Sequence, residues 1–346
     1  ALSTAARAPR APKLRDCGEN SVATTRVMTS NAKLLLYISA WYALNVAYND
    51  ANKTVLKIVR LPYTMAALQL GLGLAYVVPL WLLGLRAAPK LTLSNVRTVL
   101  PVALIHGCGQ CVTVLSLGAG SLAFVNVVKA LEPLFNVAFG ALLMDDVLPW
   151  PVNACLLPVV AGVAIASASD LSFSWDCFAY AMLSNVFFSL RGVLTKKQAA
   201  VPKGTNMDAA NHFAVMTTLS FLAVLPIALF VEGPTLRAEW EAALATGESS
   251  QLELLARIVT SGLAFYLYNE VAMLTLAAVH PITHAVANTI KRVILILFSV
   301  VRFGTPLTTT SAVGSVIAIG GVLGYSLAKQ RYASVTPVRR AKNKIL

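Results

Sequence analysis

Two short stretches of the chain place basic residues among apolar ones. Lys129 lies within FVNVVKALEP at residues 124–133, and Lys291 and Arg292 lie within HAVANTIKRVIL at residues 284–295. A Lys or Arg at the centre of a bilayer costs about 2.5–3.5 kcal/mol even on the most lenient insertion scale, so these residues need a compensating anion. A guanidinium fork and a compact ammonium charge both suit a phosphate group. We therefore predict that the three cations bind phosphate; a structural salt-bridge network inside the protein is the alternative.

Acidic residues near these cations are scarce. Glu132 lies one turn from Lys129 and can offset part of its charge. For Lys291 and Arg292 no acid is close in sequence, and Glu270 from the preceding apolar stretch is the candidate partner. Because intramembrane ionisable residues are functional by default and the surplus here is positive, the anion-binding site is favoured over the structural network.

Four uncharged residues complete the predicted site. Thr113 and Gln110, about one turn apart, are expected to donate hydrogen bonds into the same cavity. The phenol of Tyr268 can do the same, or the ring packs in the core. Phe188 either walls off the organic half of a substrate or packs against neighbouring helices. We expect a binding site for substrate, with no catalytic residue, no metal and no cofactor.

The charge surplus also predicts a transport mode. An empty site with three cations resists closure between two apolar gates, whereas a bound dianion neutralises most of that charge. Binding then favours the closed state through its differential interaction with that state. A carrier that reorients only when loaded is restricted to exchange.

The elements that position these residues follow from composition. Hydrophobic residues make up 57% of the 346 residues and charged residues 12%, and the mean hydropathy is +0.70. Soluble domains carry about 25% charged residues, so the composition excludes a water-soluble globular protein and indicates an all-α polytopic membrane protein. Since a spanning helix needs about 20 apolar residues, we predict ten spans, at 33–52, 63–85, 95–117, 120–144, 150–168, 174–196, 209–231, 254–277, 281–302 and 306–328.

Ten spans divide into two five-helix units. An odd number of crossings inverts the second unit, so we predict inverted repeats over residues 31–168 and 169–330, with both termini on one side of the membrane. The fourth span of each half then contains the buried cations, as in carriers that bind substrate between matching helices. We expect disorder in the basic segment 1–30 and a basic tail at 331–346. Gly320 and Gly324 predict close helix packing.

The remaining features exclude other classes. Lys and Arg total 28 against 15 acidic residues, but without a basic–aromatic platform the basic tails are expected to contact anionic lipid rather than nucleic acid. Cys108 and Cys111 form a CxxC pattern with no second ligand pair for zinc, and we interpret them as small packing residues. Asp145 and Asp146 are the only acidic pair and lack a third acid for a metal site. An enzyme is therefore not expected.

Several local motifs show a family resemblance. They are WYALNV at 41–46, KALEPLFN at 129–136, Ser184–Asn185 leading to Arg191, VEGP at 231–234, YLYN at 266–269 and PITHAVAN at 281–288 before Lys291, Arg292 and Val293. With these motifs the chain resembles the plastidic phosphate translocators of the drug/metabolite transporter superfamily, over about residues 33–330. The resemblance implies ten helices in inverted halves, the inner plastid envelope, and counter-exchange of inorganic phosphate for phosphorylated C3, C5 or C6 compounds. It also implies phosphate contacts from Lys129, Lys291 and Arg292, assisted by Tyr268 and Thr113.

Within that family the motifs favour triose phosphate and 3-phosphoglycerate as substrates. Three motifs are similar to the triose-phosphate class: KALEP followed by FN, the pair Thr205–Asn206, and YLYN. The segment Ser116–Gly118 resembles the phosphoenolpyruvate class instead. At Gln110 the triose and hexose classes have His and the phosphoenolpyruvate class has Asn, and Gln cannot take a proton near neutral pH. Phosphoenolpyruvate or hexose/pentose-phosphate exchange, nucleotide-sugar antiport and proton-coupled export remain the alternatives. We expect a monomer or dimer in the lipid bilayer.

Overall fold

The chain is a bundle of α-helices in a computed structural model that describes residues 16–198, 201, 204–279 and 281–335. A single 3-10 turn, Lys129–Leu131, interrupts the helices of the described part. In chain order the helices are α1 (Asp16–Ile58), α2 (Pro62–Leu82), α3 (Leu93–Ala119), α4 (Leu122–Val128), α5 (Glu132–Met144), α6 (Trp150–Ala154), α7 (Leu156–Ala168), α8 (Trp175–Lys197), α9 (Ala209–Val231), α10 (Leu236–Ala245), α11 (Gln251–Ala278), α12 (Pro281–Phe303) and α13 (Thr309–Val335).

Every predicted apolar stretch is helical. Eight helical segments are long and apolar enough to cross a membrane, counted among the described residues: they correspond to α2, α3, α4–α5, α6–α7, α8, α9, α12 and α13. The all-α polytopic membrane class is therefore confirmed. Helices α1 and α11 also cover predicted spans, and the count of ten spans and the inverted repeat stay predictions.

The chain ends extend beyond the described residues. Helix α1 begins at Asp16, inside the segment 1–30 for which disorder was predicted, and residues 1–15 lie outside the described part. Helix α13 continues to Val335, and residues 336–346 of the basic tail also lie outside it.

Local side-chain chemistry starts and ends several helices. Thr92 and Asn95 form a reciprocal capping box at the start of α3, and Ser250 and Glu253 form another at the start of α11. Asp145 ends α5 with φ of 52°, a left-handed conformation typical of helix C-termini. The capping boxes satisfy amide groups at the helix starts, and the turn at Asp145 satisfies a carbonyl at the end of α5, where these groups would otherwise be orphaned.

The break between α4 and α5 lies beside a candidate site residue. Pro133 occupies the first turn of α5, and because proline has no amide hydrogen it cannot donate to the carbonyl of Lys129 four residues earlier. The Glu132 amide donates to that carbonyl instead, which gives the 3-10 turn. Lys129 therefore lies at a kink in the middle of the fourth predicted span.

Close packing of α7 against α13 depends on glycine. A Cβ on Gly162 would lie 2.4 Å from the backbone nitrogen of Ala318 and 2.6 Å from the carbonyl oxygen of Gly314. A Cβ on Gly320 or Gly324 would meet no heavy atom within 4 Å. The prediction that Gly320 and Gly324 mediate close packing is therefore wrong, because another face of α13 meets its neighbour.

Contacts between loops define the two ends of the bundle. At one end, which we call the α1–α2 end, Glu232 after α9 accepts hydrogen bonds from the backbone amides of Tyr63 (2.9 Å) and Thr64 (2.7 Å) at the start of α2. At the other, the α8–α9 end, Lys90 and Thr205 exchange backbone hydrogen bonds of 3.0 and 3.1 Å. The candidate site lies between these ends.

Candidate anion-binding site

A cavity of about 310 Å³ lies between α1, α3, α4, α5, α8, α11 and α12. We call it the central cavity. Six of the seven predicted site residues line it: Thr113, Lys129, Phe188, Tyr268, Lys291 and Arg292. Residues from seven helices and the 3-10 turn, distant in sequence, thus share one space inside the predicted membrane region.

Lys129 is held by its neighbours on α3 and α8. Its Nζ donates to Thr113 Oγ1 at 3.2 Å and lies 5.1 Å from the centre of the Phe188 ring. Thr113 Oγ1 in turn donates to the Gly109 carbonyl at 2.8 Å. Thr113 was predicted to donate into the cavity; in the structure its hydroxyl orients the Lys129 ammonium instead.

Lys291 lies between two aromatic rings. Its Nζ is 5.2 Å from the centre of the Trp41 ring and 6.0 Å from that of Tyr268. Such faces attract a cation through the ring quadrupole. No carboxylate of the described residues forms an ion pair with Lys291, so its charge is available to an anion in the cavity.

Arg292 is the cation that has a carboxylate partner. Its Nη2 donates to Glu132 Oε2 at 2.7 Å, across 160 positions of sequence. Arg292 is only 7% exposed, and its Nη1 is buried without a hydrogen-bond partner among the described residues. Glu132 was expected to offset Lys129, but it contacts Arg292 because α4–α5 and α12 cross at this depth.

Glu270 does not serve this site. Both of its carboxylate oxygens accept from the guanidinium of Arg86, in the loop after α2. The expectation that Glu270 partners Lys291 or Arg292 is wrong, because Glu270 points from α11 toward the α2–α3 loop.

The structure adds a fourth cation that the sequence analysis left without a role. Arg191 Nη1 lies 3.0 Å from His106 Nδ1, and its guanidinium carbon lies 4.9 Å from the centre of the Phe188 ring. Arg191 and His106 both line the central cavity. The sequence contained a signal that could have identified Arg191: it follows Phe188 by three residues, which places both side chains on one helical face.

The electrostatic balance of the cavity is strongly positive. Among the described residues, its ionisable wall consists of Lys129, Arg191, Lys291 and Arg292 with the single carboxylate Glu132, apart from two histidines. With the histidines neutral, the wall has a formal excess of three positive charges. A doubly charged phosphate group would neutralise most of this excess, and an additional carboxylate on the substrate would neutralise the rest.

Gln110 lies behind the cavity wall. It is 1% exposed, and its Nε2 donates to Gln69 Oε1 at 2.6 Å and to the hydroxyl of Tyr48 at 3.2 Å. Tyr48 lines the central cavity, but Gln110 does not. Any influence of Gln110 on substrate therefore passes through the position of Tyr48.

The lining of the central cavity differs between the two ends of the bundle. At the α8–α9 end it includes Leu276, near the end of α11 and 43% exposed, and His284, near the start of α12. Toward the α1–α2 end Leu117, Leu122 and Val125, each 1–2% exposed, form an apolar floor.

Polar contacts link the helices beyond this floor. Lys53 Nζ donates to the carbonyls of Leu117 (2.6 Å) and Gly120 (2.7 Å), and Asp50 forms an ion pair with Arg302 at 2.9 Å. The α1–α2 end is therefore closed, and the cavity faces the α8–α9 end.

The described residues contain no group of three or more His, Cys, Asp or Glu side chains that could hold a metal ion. The positive wall of the central cavity repels cations in any case. The chemistry available here is the binding of an anion rather than metal coordination.

Comparisons with known proteins give consistent matches over nearly the whole chain. The family described as the Triose-phosphate Transporter family matches residues 32–326. Phosphoenolpyruvate/phosphate translocator 3, chloroplastic, of Oryza sativa subsp. japonica is 37% identical over 331 residues, which cover 95% of this chain and 83% of that protein.

Two further relatives have similar identity. Phosphoenolpyruvate/phosphate translocator 1, chloroplastic, of Arabidopsis thaliana is 34% identical over 319 residues, covering 92% of this chain and 76% of that protein. The chloroplastic triose phosphate/phosphate translocator of Pisum sativum is 35% identical over 294 residues, covering 85% of this chain and 71% of that protein.

Proposed function

Because the chain belongs to the Triose-phosphate Transporter family, we propose that it exchanges inorganic phosphate for phosphorylated C3 compounds, triose phosphate and 3-phosphoglycerate, across the inner membrane of plastids. As a member of this family it is a transporter and not an enzyme. The observation that carries the proposal is the central cavity, whose wall has four cations and one carboxylate. Such a cavity is suited to a small dianion.

The phosphate group binds between α4 and α12. Lys129 and Lys291 supply compact charges, and Arg292 supplies a planar fork of donors. Glu132 occupies one side of that fork at 2.7 Å. The guanidinium keeps a donor for the phosphate, because the buried Nη1 of Arg292 has no partner among the described residues. The hydroxyl of Tyr268 donates a hydrogen bond to the phosphate, and Thr113 orients the Lys129 ammonium toward it.

The organic half of the substrate lies toward α8. Phe188 presents its ring face between Lys129 and Arg191, so it packs against a short carbon chain. Arg191 is the cation available to a second anionic group, such as the carboxylate of 3-phosphoglycerate. A cavity of about 310 Å³ suits a C3 phosphate better than a nucleotide sugar.

Transport proceeds by alternating access, and the carrier reorients only when a bound anion neutralises the positive charge of the cavity. The empty cavity has a formal excess of three positive charges, and enclosing it between apolar walls is costly because desolvation penalises unpaired charge. The bound dianion removes most of that cost, so the loaded carrier closes and reopens on the other side. The empty carrier does not close and reopen in this way. Export of one anion is therefore coupled to import of another.

The test is a counterflow panel in liposomes. Purified protein is reconstituted into vesicles loaded with phosphate, and uptake of phosphate, dihydroxyacetone phosphate, 3-phosphoglycerate, phosphoenolpyruvate, glucose 6-phosphate and a nucleoside monophosphate is measured. We expect uptake of the first three, with glucose 6-phosphate excluded. Uptake of a nucleoside monophosphate but not of phosphate would contradict the proposal.

Phosphoenolpyruvate is the second candidate substrate. Two of the relatives above are named for phosphoenolpyruvate/phosphate exchange, and Ser116–Gly118 resembles that class. Phosphoenolpyruvate is also a C3 phosphate with a carboxylate that Arg191 can bind. The same panel separates the candidates, because a phosphoenolpyruvate carrier would prefer this compound over dihydroxyacetone phosphate, which has no carboxylate.

A further inference from the structure

A second polar cavity adjoins the central one. Its volume is about 350 Å³, and it lies between α5, α8, α12 and α13 at the α8–α9 end of the bundle. Four residues line both cavities: Glu132, His284, Asn288 and Arg292. The wall between the two spaces therefore consists of the Glu132–Arg292 ion pair and two polar side chains of α12.

The second cavity has the donors that a phosphate group requires. Lys196, near the end of α8, and Lys329, near the end of α13, line it together with Arg292. Lys329 Nζ donates to the hydroxyl of Tyr325 at 3.3 Å, which holds the ammonium in place. Two acids, Glu132 and Asp146, also line it, so the cations exceed the acids by one.

An unused donor points to a ligand at the boundary. Arg292 is 7% exposed, and its Nη1 has no hydrogen-bond partner among the described residues, although it is buried. A buried guanidinium nitrogen without an acceptor is costly. A phosphate oxygen arriving from the second cavity would satisfy it before Glu132 releases the other nitrogen.

We propose that the second cavity is an outer binding site for the phosphate group of the transported substrates, formed by Lys196, Lys329 and Arg292. This inference rests on the proposed function, since it assigns a second position to the same ligands. The phosphate binds first between the two lysines, reaches Arg292, and then displaces Glu132 from it. Displacement of Glu132 opens the wall between the two cavities at the ion pair.

The phosphate group could come from a free metabolite or from the headgroup of an anionic lipid. We assign the free metabolite, because the outer site shares four wall residues with the central cavity, where a lipid has no place. Lipid composition is varied in the experiment to separate the two sources.

The experiment measures the KM for phosphate from each face of the membrane. Wild-type protein and the variants Lys329→Gln, Lys196→Gln and Lys197→Gln are reconstituted in phosphatidylcholine vesicles, and a cleavable tag after Leu346 reports which face points outward. Lys197 is the matched control, because it is exposed at the end of the same helix and does not line the cavity. The variant Lys329→Arg retains the charge.

We expect Lys329→Gln and Lys196→Gln to raise the KM about three- to tenfold from the α8–α9 face, since one nearby charge contributes on that scale. The KM from the opposite face, and both values for Lys197→Gln, stay within about twofold of wild type, and Lys329→Arg raises the KM from the α8–α9 face less than Lys329→Gln does. If Lys329→Gln does not fold, Lys196→Gln at its exposed position decides alone.

Three results would overturn the outer site. They are an unchanged KM from both faces, an equal rise from both faces, and a rise seen only when phosphatidylglycerol is present, which would assign the site to a lipid headgroup. Failure of the wild-type protein to exchange phosphate at all would instead refute the proposed function.

Discussion

At the scale of single residues, the three cations predicted as one set have three different environments. Lys129 is oriented by a threonine hydroxyl, Lys291 lies between two aromatic rings, and Arg292 is paired with Glu132. Among the described residues only Arg292 of the three is paired with a carboxylate, so the set retains the positive surplus on which the proposed mechanism depends. The differences predict distinct consequences of mutation.

Neutralising Lys291 removes a charge that no protein group replaces. We expect Lys291→Gln to lower phosphate exchange about 30-fold or more, because loss of one partner in a buried charged contact costs about 2–5 kcal/mol. The measurement is counterflow at equal amounts of inserted protein. Arg237→Gln is the control, since Arg237 is 91% exposed and pairs with Glu241 on its own helix. Full activity of Lys291→Gln would contradict the assignment.

We propose that the Glu132 carboxylate pairs with Arg292 when no phosphate is bound there and competes with phosphate for it. In Glu132→Gln the carboxylate that competes for Arg292 is gone, so bound phosphate should satisfy that residue more completely. Because a ligand that binds the folded state raises its stability, we expect phosphate to raise the unfolding temperature more in Glu132→Gln than in wild type. Exchange should be slower, since the phosphate leaves a more positive cavity less readily.

Thermal unfolding in detergent with and without phosphate tests this prediction, and sulfate-free buffer avoids a competing dianion. A smaller shift in Glu132→Gln than in wild type would show that Glu132 supports phosphate binding rather than competing with it.

Gln110 belongs to a buried amide network rather than to the cavity wall. Gln110→Leu leaves Gln69 Oε1 and the hydroxyl of Tyr48 without this donor, and an unmade buried hydrogen bond costs about 1–3 kcal/mol. We expect a lower unfolding temperature and a changed ratio of triose phosphate to phosphoenolpyruvate uptake, with phosphate exchange retained. Gln110→Asn is the conservative comparison. Abolition of phosphate exchange in a folded Gln110→Leu protein would place Gln110 in direct contact with the ligand.

The sequence singles out residues that are anomalous in their own stretch. Lys129, Lys291 and Arg292 are costly in an apolar segment whatever surrounds them, and the three line one cavity; that they bind phosphate stays a prediction. The partner of each charge was harder to predict, because the partners lie far apart in sequence. His106 and Arg191 are 85 positions apart, and Arg86 and Glu270 are 184 apart. No local spacing rule connects such pairs.

At the scale of elements, the closed α1–α2 end depends on contacts between α1, α3 and α12. Asp50 and Arg302 are partly exposed, with side chains 27% and 46% accessible, and lie 2.9 Å apart without hydrogen-bond alignment. Exposed pairs contribute about 0.2–1 kcal/mol. The pair therefore favours the closed conformation of the α1–α2 end only slightly over the open one.

Asp50→Asn should shift the carrier toward opening at the α1–α2 end. We expect labelling of a cysteine at Leu122, on the apolar floor, to accelerate about two- to fivefold, in line with the energy of an exposed pair. Arg302→Gln should have the same effect, and Asp50→Asn with Arg302→Gln should add little to either. Additive effects of the two changes would show that the side chains act independently.

Helices were predicted well and their contacts less well. Long apolar runs determine that a segment is helical, and the breaks at Pro149 and Gly204 have clear turn chemistry. The short helix α10 lies in the polar segment 232–251, where no apolar run indicates it. The glycine contacts of α13 were misassigned because sequence alone does not reveal which face of a uniformly apolar helix meets a neighbour.

At the scale of the whole molecule, α1 and α11 decide the topology. The eight helical segments that pass the test of length and apolarity exclude both, although both line the central cavity. Both helices contain charged residues with partners elsewhere in the bundle: Lys53 contacts a carbonyl of α3, Asp50 pairs with Arg302 of α12, and Glu270 pairs with Arg86 in the loop after α2. We propose that both helices cross the membrane, which gives ten spans.

If α11 crosses the membrane, the residues before it and the residues after it lie on opposite faces. We expect a cysteine introduced at exposed Glu248, before α11, and one at exposed Thr283, at the start of α12, to react with a membrane-impermeant reagent from opposite sides of sealed, oriented vesicles. Labelling of both from the same side would exclude a crossing by α11 and, with it, the inverted five-plus-five arrangement.

The central claim is that the positive cavity reorients only when a dianion fills it. The most direct measurement is uptake of radioactive phosphate into proteoliposomes that are either preloaded with phosphate or free of any exchangeable anion. The account predicts rapid uptake into the preloaded vesicles and uptake into the empty vesicles no faster than into protein-free liposomes. Rapid net uptake into the empty vesicles would contradict it, because the unloaded cavity would then cross the membrane with its charge unneutralised.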